Sequence, residues 1–456
     1  MRRVTPFEEF YYRKNSEGLY SCFFVGVTLN VPLERAKLEV ALRKVVNKYP
    51  QLYSNVFQDE LSGELCIKPL SEKIYIGDVL GLAESDKLDE DAANWIFKNI
   101  TFKYHCQRPL WKVVSMQAGQ QLLFCFDHVL LDGMSGVLFW EDVLRELNCD
   151  DNSPVVPDQH GVLYRGENVE GMPAHAYSQW PSSLAWKLLR LVLFIWHIYL
   201  QPYIPALGSS HSCFQFKSYT FPDSLYDNAR RIRNTNRHFS LRIGSDQLKQ
   251  QIKQCREHNT SLTAWFAAII TLWLKNSTKT DMTTGSVVKI EVPFNTRQQV
   301  SRAIPTYPKS ALRLGLFVKG CTLQHTVDKA DETVWTIASA FSEKLARNRD
   351  TEVGIQKCKL LELVDVRDFV ISLSQLKYPP STFEITNLGF QAFGTSTSDP
   401  YHVTDAVFRG GQTLSNAFTC YIISTPRGGC HISLSLPPEV ADVCELDALR
   451  AVISKH

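Results

Sequence analysis

Apolar residues recur along this chain in two rhythms. Alternation with period two marks strands, and recurrence every three to four residues marks helices. In the first half, alternation predicts strands over 19–30, 51–57, 64–70, 111–116 and 122–127. Helical spacing predicts helices over 32–49, 88–99 and 136–147. Over 32–49 the apolar set is Leu38, Leu42, Val45, Val46 and Tyr49, and Pro32 is acceptable in a first turn. A polar stretch with Pro and Gly, between Cys149 and Trp180, reads as a linker. The second half repeats the style. Strands are expected over 214–221, 238–243, 287–293, 312–318, 382–387, 403–408, 418–424 and 431–436. Helices are expected over 247–258, 262–275, 324–348, 354–363, 366–376 and 443–454, with Ser261 placed to cap the second of these. Strands and helices interleave without strict βαβ order, so the fold class is α+β with mixed sheets. The expected organisation is a lobe over 1–150, a linker with an apolar helix over 151–210, and a second lobe over 211–456.

Residues 184–200, LAWKLLRLVLFIWHIYL, stand apart. The run is shorter than the roughly 20 residues that cross a bilayer. Lys187, Arg190 and His197 share one helical face by spacing. Trp186, Trp196, Tyr199 and Tyr203 suit a headgroup boundary. An apolar helix with a basic stripe can lie in the plane of a membrane surface. A core helix whose cations reach out to water is the competing reading.

Composition adds mainly exclusions. Across 456 residues, 44% hydrophobic and 21% charged content rules out a disordered chain. Lys plus Arg (49) against Asp plus Glu (47) gives +2, so no global charge favours nucleic acid. The 12 cysteines form no CxxC pair, which argues against a zinc ribbon. His105-Cys106 and Cys430-His431 lack a second ligand pair, so no metal is expected. The opening residues lack the apolar stretch of a secretion signal, and a cytosolic setting with reduced thiols is the expectation. Neither GxGxxG after a strand nor GxxxxGK[ST] occurs.

The candidate chemistry lies at His128-Val-Leu-Leu-Asp132-Gly133. An apolar strand ends at the His, and a helix begins just past the Gly. A His where a strand leaves the core can present one ring nitrogen to a cleft and act as a general base. Asp132 can neutralise a cation, and Gly133 permits a positive φ or a close backbone approach. On spacing alone, a hydrogen-bonded His at a strand end is the favoured reading, and a His and an Asp four apart are a weak signal for catalysis. Gly133-Met-Ser135-Gly136 imitates a nucleophile elbow, but its second Gly falls one residue early.

These residues match the HxxxDG motif of the acyl-CoA-dependent acyltransferase superfamily, which includes chloramphenicol acetyltransferase. The flanks agree in order: Arg108-Pro-Leu-Trp111, Val292-Pro-Phe-Asn295-Thr-Arg297, Leu314-Gly-Leu-Phe-Val and Thr386-Asn387-Leu388-Gly389. Within the superfamily the chain most resembles the fungal alcohol acetyltransferases, whose members acetylate alcohols, sterols or sphingoid-like amines. It departs from the relatives' Asp-Phe-Gly-Trp-Gly-like segment, where Asp405-Ala-Val-Phe408-Arg409-Gly410-Gly411 stands. The resemblance implies two chloramphenicol acetyltransferase-like lobes with a tunnel between them and His128 at its midpoint. It implies acetyl-CoA as co-substrate, no permanently bound cofactor, and an apolar alcohol or amine as acceptor. Asp132 would pair with Arg297 as a structural ion pair. Asn416, Thr419 and Ser424 are candidates for an oxyanion or tunnel role. A membrane surface is an expected partner, with Trp186, Lys187, Arg190 and Trp196 at the contact. The expected location is the cytosolic face of the endoplasmic reticulum or a lipid droplet. A non-catalytic, tunnel-bearing lipid-binding or interaction protein of the same fold is the competing function.

Overall fold

The computed structural model describes all residues except 84, 150–157, 168–170, 196–212, 222, 278, 329–331 and 456. Two sheets organise it. The strand that leads into the motif, Gln121–Phe126, lies between Phe23–Leu29 and Trp111–Met116, antiparallel to both. Five of its six residues are buried, because it is central and the helix Gly133–Leu147 covers the sheet. That helix is tied down by Trp140, whose indole N–H donates to the Val25 carbonyl at 2.8 Å. Gly136 lets it approach, since a Cβ there would stand 2.6 Å from Val25 Cγ2.

The second sheet has six strands in the order Arg237–Ile243, Gly429–Leu436, Thr419–Thr425, Phe383–Phe390, Val287–Asn295, Val318–Thr326. Phe383–Phe390 runs parallel to both neighbours while the other pairings are antiparallel, so the sheet is mixed. The helix Leu262–Asn276 is its core, buried from Ala264 through Thr271, with Ser261 accepting from the Ala264 N–H at 3.3 Å.

Chain order does not separate the lobes cleanly. Val403–Gly410, from the carboxy-terminal part, pairs antiparallel with Phe23–Leu29 and completes the amino-terminal sheet. Val162–Tyr164, within the expected linker, pairs with Ile74–Tyr75.

Three other expectations are corrected. Over 214–221 there is no strand: Phe214, Phe216, Tyr219 and Phe221 are buried in the second core, but the backbone runs through turns. Over 312–318 the strand starts only at Val318. The Gly315 and Phe317 backbone groups bond Ser135 and Asp132 instead of a neighbouring strand. The helix expected from 324 begins at Val334, where Thr333 caps it. The sequence reading also passed over the helix Pro6–Ser16, which opens with a reciprocal cap. The Glu8 N–H donates to Thr5 Oγ1 at 3.4 Å, and the Thr5 N–H donates to Glu8 Oε2 at 2.9 Å.

The apolar segment forms a helix over Leu184–Ile195 with no buried residue, so it is not a core helix. Leu184, Leu188, Leu191 and Val192 are each more than half exposed. The basic stripe is not a free face: Lys187 is exposed, but Arg190 turns inward to an ion pair with Glu362, and Trp186 is half-buried beside it. Trp196 and His197 lie outside the described residues. Among the described residues no helix is long and apolar enough to cross a membrane.

Candidate active site

Asp132 ends the motif loop and caps the helix Gly133–Leu147. Its Oδ1 accepts from the Ser135 N–H at 2.8 Å and from Ser135 Oγ at 3.0 Å. Arg297, the first residue of a short helix to 303, clasps it from the other half of the chain. Nη1 reaches Oδ2 at 2.8 Å and Nη2 reaches Oδ1 at 2.9 Å. The Phe317 N–H adds a fifth donor at 2.8 Å. Burial works to raise the Asp132 carboxyl, but Arg297 and these donors outweigh it and hold it below its ordinary value. Every lone-pair direction of the carboxylate is committed, so Asp132 builds the site and is not free to exchange a proton. Arg297 is fixed in turn by the Leu312 carbonyl at 2.7 Å and lies over the Phe317 ring.

With the loop pinned, Val129, Leu130 and Leu131 are driven into the core. His128 is left half-buried on the wall of a cleft of about 610 Å³. The ring stacks on Tyr11 with centroids 4.1 Å apart and leans on Phe23 at 4.7 Å. Its Nδ1 is buried and has no hydrogen-bond partner among the described residues. Desolvation pushes the ring pKa down to about 4, helped by Lys14 and opposed by Asp132 and nearby carbonyls. The imidazole is therefore neutral at pH 7 and able to accept a proton. Gly133 has no positive φ. Its use is close approach, since a Cβ would stand 2.9 Å from Leu388 Cδ2 and 3.3 Å from Phe408 Cζ at the cleft wall.

The cleft is lined from both sheets and from the first helix. Phe7, Phe10, Phe23, Phe294, Phe317 and Phe408 give it an aromatic part of its wall, and the rest is mixed polar and apolar. Among the polar lining residues are Lys14, Glu291 and Glu384, none of which the sequence reading selected. Asp127, next to His128, is held by Asn15, Tyr104 and the Val129 N–H, and burial raises its carboxyl to about 6.

The three strand candidates fare differently. Thr419 lines the cleft, but Asn416 and Ser424 do not. Asn416 is buried, donating to Glu384 at 3.1 Å and accepting from Thr419 Oγ1 at 3.0 Å. Ser424 is buried within the strand Thr419–Thr425. His105 is spent on structure, bonded to Tyr12 and to the Gln58 N–H. Among the described residues no group of three His, Cys, Asp or Glu could hold a metal ion.

A family model described as alcohol acetyltransferase matches residues 3–455. The chain belongs to the alcohol acetyltransferase family. It is 28% identical to the N-acetyltransferase SLI1 of Saccharomyces cerevisiae, covering 97% of each chain. It is 23% identical to an uncharacterized protein of Schizosaccharomyces pombe, covering 95% of this chain and 92% of the other. Its fold is similar to that of the trichothecene 15-O-acetyltransferase TRI3 of Fusarium sporotrichioides. The TM-score is 0.63 at 13% identity, over 100% of this chain and 93% of that one. The first condensation domain of the CDA synthetase is also similar, with TM-score 0.60 at 14% identity over 99% and 95%. The fold is thus the two-lobed one of chloramphenicol acetyltransferase-like enzymes, and the protein is an acyltransferase.

Proposed function

We propose that this family member moves the acetyl group of acetyl-CoA to the hydroxyl or amine of an apolar acceptor, with His128 as general base. The observation that carries the reading is the His128 imidazole on the wall of a cleft lined from both sheets, held there by a loop that Arg297 clamps from the other half of the chain. Both substrates meet in one channel, which removes much of the entropic barrier. The acceptor oxygen or nitrogen attacks the thioester carbonyl as His128 takes its proton. The C–S bond then breaks, and the proton passes to the departing thiolate. The products are the acetylated acceptor and CoA, with no acyl-enzyme between. A ring with so low a pKa accepts a proton only as attack makes the nucleophile acidic, so proton transfer and bond formation proceed together.

The exposed apolar side of Leu184–Ile195 supports a seat on a lipid surface, at the cytosolic face of the endoplasmic reticulum or a lipid droplet. That seat would deliver acceptors that partition into lipid. The test of the reaction is CoA release from acetyl-CoA with long-chain alcohols and amines. His128→Ala is expected to lose about 10²- to 10⁴-fold in rate with unchanged circular dichroism. Undiminished release would refute the role of His128.

A further inference from the structure

His128 has no carboxylate bonded to it among the described residues, since Asp132 is committed to Arg297 and Ser135. Packing therefore sets the plane of its ring. Tyr11 supplies the closest face, with centroids 4.1 Å apart and ring planes 25° from parallel. Tyr11 belongs to the helix Pro6–Ser16, which also brings Phe7, Phe10 and Lys14 to the cleft wall. Whatever fixes that helix on the motif also fixes the base.

Asp127 is the point of attachment. Tyr11 and Asn15 are four residues apart and share one face of the helix. They meet two consecutive residues: Tyr11 stacks on His128, and Asn15 Nδ2 donates to Asp127 Oδ2. Asn15 Nδ2 also donates to the Ser21 carbonyl at 3.1 Å. A second route runs through Tyr104, whose hydroxyl donates to the same Oδ2 at 2.7 Å and whose ring lies 4.5 Å from that of Tyr12 on the helix. Oδ1 accepts from the Val129 N–H at 2.7 Å, where the chain turns into the motif loop. Asp127 is 1% exposed, and no cation pairs with it among the described residues. The titratable groups that feel its field are Cys22, Tyr20 and Tyr104, all kept neutral by burial. Burial raises the Asp127 carboxyl to about 6 although three donors pull it down. A folded value above the ordinary one means that ionisation lowers stability as pH rises through about 6. This carboxylate weakens the fold at neutral pH, so its use lies in the site.

We propose that Asp127 is a positioning residue: as a carboxylate it gathers Asn15, Tyr104 and the Val129 N–H, seats the helix Pro6–Ser16 on the end of the motif strand, and so holds Tyr11 against His128. This rests on the acetyl-transfer reading above. Asp127 does not line the cleft, so it acts through the helix and not on the reacting groups. All three partners donate, which requires an acceptor on both oxygens. A carboxylic acid or a carboxamide turns one oxygen position into a donor and breaks at least one link. The charges felt at His128 itself are Asp132 and Lys14, and Lys14 rides on the same helix. A misplacement of about 1 Å can cost about 10²-fold in rate, so a small shift of the helix is enough.

The experiment follows CoA release by the full chain, with 1-dodecanol and with dodecylamine, from pH 5 to pH 8. It compares wild type with Asp127→Asn, Asn15→Leu and the double variant, per folded protein by circular dichroism. Each rate is taken as the ratio of wild type to variant, in which titration of the acceptor cancels. Asp127→Asn is expected to lower kcat about tenfold or more at pH 8, with little change in acceptor KM. The wild-type advantage should fade as pH falls through about 6. Asn15→Leu keeps the carboxylate and removes one donor, so it should lower kcat and move that step to higher pH; it also carries the test if Asp127→Asn does not fold. The double variant should fall no further than Asp127→Asn, because both changes break one link. Additive losses, an advantage constant across pH, or a loss confined to acceptor KM would overturn the positioning role and leave the transfer reading standing. Release by wild type with neither acceptor would overturn the transfer reading itself.

Discussion

Replacing Asp132 with Ala removes the acceptor of five hydrogen bonds at once. Two losses can be separated. The first is the buried pair: Arg297 is 9% exposed, and stranding such a charge costs about 3–5 kcal/mol. The second is the helix cap, worth about 1 kcal/mol. The two share one carboxylate and will not simply add, so a loss of about 4–5 kcal/mol is expected, against a total stability of about 5–15 kcal/mol for a typical domain. Asp132→Asn keeps an acceptor for the Ser135 N–H and loses only the charge, so it should cost less than Ala. Arg297→Met with Asp132→Asn should recover part of the loss, because no unpaired charge remains. Urea unfolding followed by tryptophan fluorescence reads all four proteins, with CoA release measured alongside. The reasoning fails if Asp132→Ala unfolds within about 1 kcal/mol of wild type while losing turnover. Asp132 would then act on the reacting groups and not through the fold.

Gly136→Ala places a methyl group against the body of Val25 and the Phe126 ring, at 2.6 and 3.0 Å. Overpacking of this kind costs about 1–3 kcal/mol, seen as a lower urea midpoint, and no change would show that the helix can back away from its sheet. His128, His238 and His431 are pushed down to about 4, 3 and 3, all chiefly by burial. Folding therefore favours their neutral forms: their contribution is intact above the unfolded value near 6.5 and is lost as pH falls towards 3–4. His431→Gln should flatten the stability profile between pH 6 and 4, and an unchanged slope would refute the assignment. Leu188→Glu with Leu191→Glu removes apolar surface that already faces solvent; flotation with liposomes should drop severalfold while CoA release with a water-soluble acceptor persists, and equal flotation would remove the lipid seat.

The motif was readable because it depends on local rules, whereas its clamp was readable only through resemblance to relatives. An apolar strand ending at His128 and a helix capped by Asp132 are short-range patterns, and Arg297 followed from resemblance to relatives. The strand Trp111–Met116 falls on the expected residues for the same reason. What stayed hidden depends on distant partners. Residues 214–221 alternate like a strand because their aromatic side chains are buried, yet their backbone turns away after one bond from the Phe214 N–H to the Val287 carbonyl and forms no ladder among the described residues. Residues 314–317 look extended, but their backbone serves the motif loop 180 residues earlier. The helix Pro6–Ser16 was legible in Thr5-Pro6-Phe7-Glu8 as a capping box and was passed over. Glu291 and Glu384 could not be matched in advance, since a register pair 93 positions apart leaves no periodic trace.

The exchange of Val403–Gly410 into the amino-terminal sheet has a consequence for how the chain is made. Until that late strand leaves the ribosome, Phe23–Leu29 has one side without a partner, and a fragment ending near residue 150 would show it to every neighbouring molecule. The first lobe therefore waits for nearly the whole polypeptide before it can close. Truncations from the carboxy end should aggregate rather than yield a small soluble half.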